Sequence, residues 1–288
     1  MLDEIPQLLI NGLVAGTVLA VPAIGFTAIY AVLRFPNFTV ASHLTIGAFA
    51  GYVANVGLGL PASVAIAAAF LVAGVSGVIS DEAVLKPLRP SGALTAAIAA
   101  VALTIVLENV IRFVFGNDLR GYDLPISRDW RLGSVRIGPQ QVENFAVAVV
   151  AMAAVFLFLA FTRTGKAMRA VADNPTLADI KGINPHRVAR LVNFFGMGLA
   201  GIGGMLVGLD TSIDPLTGFR VILSVFAAAV VGGLGSIPGA VVGAVTVGVG
   251  EELSLLFLAP AYRTAVGFAA ILLVLTLRPR GILGERAY

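Results

Sequence analysis

The sequence predicts an all-α polytopic membrane protein of about 8-9 transmembrane helices, and three observations predict it. Only 12% of its 288 residues are charged, against roughly 25% in soluble domains. Hydrophobic residues make 58% and mean hydropathy is +0.95, which excludes a soluble single domain. Uncharged apolar runs recur along the whole chain, on the scale of the roughly 20 residues a helix needs to cross a bilayer core about 30 Å thick. The absence of Cys excludes a disulfide-stapled secreted fold, a thiol nucleophile and a thiolate metal site. A net charge of +3 is too small to argue for a nucleic-acid partner, so its placement matters more than its sum.

The runs lie at 7–33, 39–60, 61–80, 93–115, 145–162, 188–209, 219–232, 237–258 and 263–277. The run 219–232 is the short one, because about 14 residues rise only about 21 Å as a helix. It reads as re-entrant or as half of a broken helix. Asp3 and Glu4 precede the first run without any Lys or Arg, whereas a secretory signal begins with a basic region. That run is therefore expected to be retained as a span. Lys and Arg in short loops mark the cytoplasmic side, and 163–190 carries Arg163, Lys166, Arg169, Lys181, Arg187 and Arg190. Arg278, Arg280 and Arg286 join that side, as do Lys86 and Arg89 if the count is nine. The amino terminus and an external loop at 116–141 then face outside, although that loop holds Arg120, Arg128, Arg131 and Arg136 beside Asp118, Asp123 and Asp129. The whole chain, 1–288, forms a single transmembrane domain.

Small residues at every fourth position let helix backbones approach where lipid gives no hydrophobic drive for association. Gly196, Ala200, Gly204 and Gly208 form one such row; Gly235, Gly239 and Gly243 form another, beside Ala240, Ala244 and Gly248. Ordinary packing explains any one glycine. Pro22 inside the first run and the stretch Gly232, Gly233, Leu234, Gly235, Ser236, Ile237, Pro238, Gly239 interrupt helical hydrogen bonding. Irregular backbone at membrane depth is tolerated where it is buried in protein or lines a wet cavity, so a translocation path near these residues is the functional reading. Glu108 and Arg112 stand four apart in the favourable order for a helical ion pair and read as an intramembrane pair, structural or part of a gate. Glu251, Glu252 and Arg263 read as a solvated helix end. His43 reads as an interhelical hydrogen-bonding group, with no carboxylate or second His at helical spacing to form a proton relay.

No catalytic residue is expected, and no metal site. A Walker A loop needs a Gly five residues before its Gly-Lys pair; before Gly165-Lys166 that place is Ala160, and no Ser or Thr follows the Lys. A dinucleotide loop fails too, because Gly233 and Gly235 lack a third Gly at the required spacing. Energy for transport must come from a partner or an ion gradient. The basic loop looks built: Asp173 or Asn174 can cap a helix, Pro175 suits its first turn and Gly182 can end it. The expected helix, about 175–181, offers Leu177 and Ile180, with Met168 and Val171 upstream, either to a groove on another protein or to the membrane surface.

Several stretches together resemble the membrane subunits of ABC importers for branched-chain amino acids, the LivH type. They are Asn11-Gly12-Leu13 through Gly16, the stretch from Gly25 to Tyr30, Arg34, Asn37, Phe38, Gly47 and Ala48; then Gly165-Lys166-Ala167-Met168-Arg169-Ala170, Gly182-Ile183-Asn184, the run from Gly232 to Ala240, and Leu277-Arg278-Pro279-Arg280-Gly281. The resemblance implies a multi-pass permease of the cytoplasmic (inner) membrane. Its implied partners are a second, LivM-like permease subunit or second copy, two cytoplasmic ATP-binding subunits that hold ATP and Mg, and an external solute-binding protein; no cofactor sits on this chain. It also implies that Lys166, Met168, Arg169, Asp173, Pro175, Leu177, Ile180 and Gly182 form the ATPase coupling element. Pro22, Asn37, Phe38, Gly232, Gly233, Gly235, Pro238 and Gly239 are the expected lining or gate. After Asn37-Phe38 the family runs on with Ala, His, Gly, and this chain has Thr39, Val40, Ala41. Relatives of this type carry urea, short amides or aromatic acids as well, and those solutes stay open here, as does an ion-coupled secondary transporter.

Overall fold

The computed structural model describes residues 4–124, 128–132, 135–278 and 280–284. Asp3, Pro279 and Arg286 lie outside the described residues. Every apolar run is helical. The order is α1 (Ile5–Leu33), α2 (Val40–Tyr52), α3 (Ala62–Ser80), the short α4 (Lys86–Leu88), α5 (Ala93–Phe115), strands β1 (Trp130–Leu132) and β2 (Val135–Ile137), α6 (Pro139–Phe161), α7 (Arg163–Asp173), α8 (Pro175–Ile180), α9 (Pro185–Asp210), α10 (Thr217–Gly232), α11 (Ile237–Leu253) and α12 (Arg263–Leu277). Six of the described helices are long and apolar enough to cross a bilayer: α1, α3 with its continuation to Ser91, α5, α6, α9 and α11 with its continuation to Leu256. α10 and α12 are shorter apolar helices, and α2 has 13 residues before a π turn, Val53–Gly57.

α1 and α9 form the centre. In their apolar windows 61% and 72% of residues are buried, against 22% in α5 and 11% in α6, so the last two are peripheral and present Leu and Val outward. The predicted small-residue rows make the close contacts. Gly25 of α1 meets the Gly196 backbone of α9, and Gly204 of α9 lies against the carbonyl of Leu44 in α2. Ala244 and Gly248 of α11 face Gly16 of α1, while Gly239 and Gly243 face Gly232 and Ala228 of α10. Gly235 does not belong to that row. It sits in the turn before α11 at φ +95° with open space around it.

The short α10 has a structural reason. It begins beside the first turns of α2, where the Gly218 amide donates to Thr45 Oγ1 at 2.9 Å and Gly218 packs on the Ala41 carbonyl. The region 116–141 is more ordered than a plain loop. Trp130, Arg131 and Leu132 pair with Ile137, Arg136 and Val135 in an antiparallel hairpin. Upstream, Arg120 bridges to Ile213, and Tyr122 donates to the Ala48 carbonyl at 2.7 Å. Gln7 of α1 bonds the Arg136 backbone at 2.7 and 2.9 Å, which places the start of α1 and this hairpin at one end of the bundle. The basic segment 163–190 closes the opposite end.

Candidate functional site

At the basic end, each helix start is capped by its own side chain. Thr162 Oγ1 accepts from the Gly165 amide at 2.9 Å to begin α7, Asn174 Oδ1 accepts from Leu177 at 2.9 Å to begin α8, and Asn184 Oδ1 accepts from His186 and Arg187 to begin α9. Of the two predicted caps, Asn174 does this and Asp173 closes α7 instead. Gly182 takes the left-handed conformation, φ +84°, that ends α8, and the Ile183 amide returns to the Ala178 carbonyl at 2.9 Å. Lys166, Arg169, Asp173 and Pro175 are exposed.

The apolar residues of this loop divide by direction. Met168 and Val171 are buried in the chain's own core, so neither faces outward as the docking reading expects. An amphipathic helix carries one apolar stripe, and the body of the bundle has taken it. Leu177 and Ile180 remain 54% and 76% exposed. They stand on a capped helix anchored only by Ala178, which is buried. The end is tied to the bundle by charges: Arg34 donates to the Ala172 carbonyl, Arg190 reaches Glu82 at 2.6 Å, and Lys86 reaches the same carboxylate at 2.7 Å.

The Gly-Pro interruption belongs to this end as well. Gly233, φ +109°, closes α10, Ser236 Oγ accepts from Gly239 to cap α11, and Pro238 lies in the first turn of that helix. Ile282 and Leu283 donate to the Val231 and Gly232 carbonyls at 2.8 and 3.0 Å. The irregular backbone is thus a turn at the end of the bundle, satisfied by the chain's own tail. Gly235 and Pro238 face Arg169 and Asp173 across a cavity of about 450 Å³.

Pro22 is buried and packs on Gly203 of α9. Asn37 is buried; its Oδ1 accepts from the Thr39 hydroxyl at 2.7 Å and its Nδ2 has no partner among the described residues. Phe38 packs with its ring tilted against Phe26 at 6.4 Å and Phe226 at 5.7 Å, which joins α1, the α1–α2 turn and α10. Glu108 and Arg112 pair at 2.9 Å on α5. His43 Nδ1 meets the Thr39 carbonyl at 2.7 Å.

Glu251 and Glu252 overturn one reading. They are no solvated helix end: both are buried, Glu251 accepts from Ser224 at 2.6 Å, and Arg263 reaches Glu252 at 2.7 Å and Glu251 at 3.5 Å. Desolvated carboxylates persist when paired in this way. They line a polar cavity of about 360 Å³ with Asn11, Gln141, Asn144, Asp210, Arg220 and Ser224. A wider recess of about 760 Å³ on the hairpin side shares Asn11, Gln141 and Asp210 with it. The sequence signal was the adjacent acid pair with Arg263 after it; the rest of the cavity comes from α1, α6, α9 and α10, far apart in the chain.

Residues 8–277 match the family described as the branched-chain amino acid transport system / permease component. The chain belongs to this permease family. It is 34% identical to the high-affinity branched-chain amino acid transport system permease protein LivH of Salmonella typhimurium, over 97% of this chain and 95% of that protein. The permease protein BraD of Pseudomonas aeruginosa is 31% identical over the same shares. A probable LivH of Methanocaldococcus jannaschii is 28% identical over 96% of this chain and 92% of its own length. In structure the chain is similar to a chain of PsaBC from Streptococcus pneumoniae in complex with Fab, with TM-score 0.51 and 16% identity over 97% of each, a likeness of fold alone. This permease is therefore a multi-pass membrane protein and an ABC transport component.

Proposed function

We propose that this chain is the membrane-spanning subunit of an ABC importer that carries branched-chain or related amino acids across the cytoplasmic membrane by ATP-driven alternating access. Partners of stated kinds complete it: a LivM-like permease or a second copy, two ATP-binding subunits and an external solute-binding protein. ATP and Mg are held by the ATP-binding subunits. The observation that carries the reading is the exposure of Leu177 and Ile180 on a short helix, capped at both ends, at the basic end of a transport permease. An apolar pair of this kind fits a groove on another protein; α8 lies between α7, which Arg34 ties to the end of α1, and α9, which Arg190 ties to Glu82 just past α3, so a push on α8 is passed on through its two neighbours. ATP binding moves the access equilibrium only by as much as the ATPase grips one state better than the other, and this helix is the handle for that difference.

In the test, Leu177→Asp and Ile180→Asp are introduced together and the permease is purified with its ATP-binding subunits. Loss of those subunits, with the permease itself still folded in lipid, is the expected outcome. Undiminished co-purification would refute the docking role.

A further inference from the structure

Two cavities meet toward the basic end of the bundle. The first, about 360 Å³, lies between α6 and the α1 and α9 centre, and every side chain that lines it is apolar, Ile24, Phe70, Ala154, Phe195 and Leu199 among them. The second, about 450 Å³, is the one in which Gly235 and Pro238 face Arg169 and Asp173. Ala28, Leu159, Met168 and Val192 line both, so the apolar cavity runs into the charged one. α6 is the least buried of the six long apolar helices, at 11% of its window, which puts the pair of cavities on the outer flank. The α6 wall extends from Ala151 to Ala160, about 14 Å along a helix and so about half of a bilayer core about 30 Å thick. That is the depth of one leaflet. At the charged mouth, Arg169 and Asp173 form no side-chain hydrogen bond or ion pair among the described residues. Arg34, close by, is spent on the Ala172 carbonyl and does not line the cavity.

We infer that the joined cavities hold one phospholipid with a primary-amine headgroup, its acyl chain in the apolar cavity, its phosphate on Arg169 and its ammonium on Asp173. An apolar cavity of this kind stays dry and takes apolar groups, whereas a small charged solute there would leave its polar ends without partners. A guanidinium suits phosphate because its planar N–H donors meet the oxygens in pairs, and charged pockets between helices at the membrane face are where lipid headgroups are held. Asp173 narrows the choice. A headgroup with no cation would set its phosphate against this carboxylate and give it nothing in return. A choline headgroup carries the cation but no N–H, and an ionised carboxylate only accepts. A primary ammonium answers Asp173 while the phosphate answers Arg169, one helical turn away on α7. The lipid then wedges α6 and α7 against the centre of the bundle.

The test reconstitutes the full-length permease with a phosphatidylethanolamine that carries a diazirine in one acyl chain, and maps the adducts by peptide mass spectrometry after illumination. Adducts are expected in 151–158 of α6 and 192–199 of α9. Unlabelled phosphatidylethanolamine should compete for them about tenfold better than phosphatidylcholine or phosphatidylglycerol, the worth of one hydrogen bond to a charged group. Ala154→Trp fills the apolar cavity and should abolish the adducts, whereas Leu157→Trp, at a position 57% exposed on the same helix, should leave them. Asp173→Asn is expected to erase the advantage of ethanolamine over choline, and Arg169→Gln to weaken all three lipids together. Adducts spread over outward-facing positions and insensitive to competitor, equal competition by phosphatidylcholine, or adducts undiminished in Ala154→Trp would each overturn the site. So would displacement of the lipid by leucine, which would make the cavities part of a solute path. The competition is read on the unaltered permease, so a variant that fails to fold does not leave the answer open.

Discussion

Gly204 leaves no room for a side chain, since its α-carbon faces the Leu44 carbonyl of α2 and a Cβ there would collide with backbone. Overpacked cores lose about 1–3 kcal/mol. Gly204→Val is therefore expected to lower the unfolding temperature in nanodiscs, whereas Gly116→Ala is not a fair comparison because that glycine has a positive φ. Gly57, with only Val53 near it and an ordinary φ, gives the control, and Gly57→Ala should leave stability nearly unchanged. At the same scale, burial pushes the Tyr122 phenol in the segment 116–141 well above its ordinary value, so it remains a donor to Ala48 throughout the neutral range. Tyr122→Phe is expected to cost about 1 kcal/mol, the usual net worth of one hydrogen bond, read as a fall in unfolding temperature that does not vary between pH 6 and 8. The Gly row of α9 was legible from its spacing of four. The Asp210, Arg220 and Glu252 cavity was not, because Asn11 and Arg263 are 252 positions apart in sequence and hydropathy carries no information on which polar ends converge.

Helix boundaries follow the apolar runs where hydropathy decides them. α5 and α12 start and stop at the ends of their runs, 93–115 and 263–277. α2 passes at Val53 into the π turn that ends at Gly57, short of the predicted 60, and there Asn55 donates to the Leu60 carbonyl at 3.0 Å and accepts from the Asp123 amide at 2.9 Å. The α8 element was readable from its caps alone, since Asn174, Pro175 and Gly182 are local signals. The inward turn of Met168 was hidden, because periodicity defines an apolar stripe without naming the body it meets. Asn174→Ala removes the cap of α8, a change worth about 1 kcal/mol. The expected consequence is faster amide exchange across 175–180 and a weaker grip on the ATP-binding subunits, with α9 exchange unaltered because Asn184 caps it independently.

At the scale of the molecule, the bundle has two chemically distinct ends. One gathers Arg34, Lys86, Arg190 and the cations of α7 around the exposed Leu177 and Ile180; the other holds the β hairpin and the polar cavity. Lys and Arg in short loops favour the cytoplasm, and on that rule we propose that the first end faces inward and the second outward. The all-helical class was legible from composition alone. The depth of the Gly-Pro interruption was not, because only the fold shows α10 starting beside α2 and ending at the loops. The chain has no Cys, so single cysteines report orientation without background. Asp129→Cys in the hairpin segment and Ile180→Cys on α8 are exposed to a membrane-impermeant maleimide in sealed right-side-out vesicles. The account predicts that Asp129→Cys is labelled at once and Ile180→Cys only after the vesicles are opened; labelling of Ile180→Cys in sealed vesicles, with Asp129→Cys protected, would contradict it.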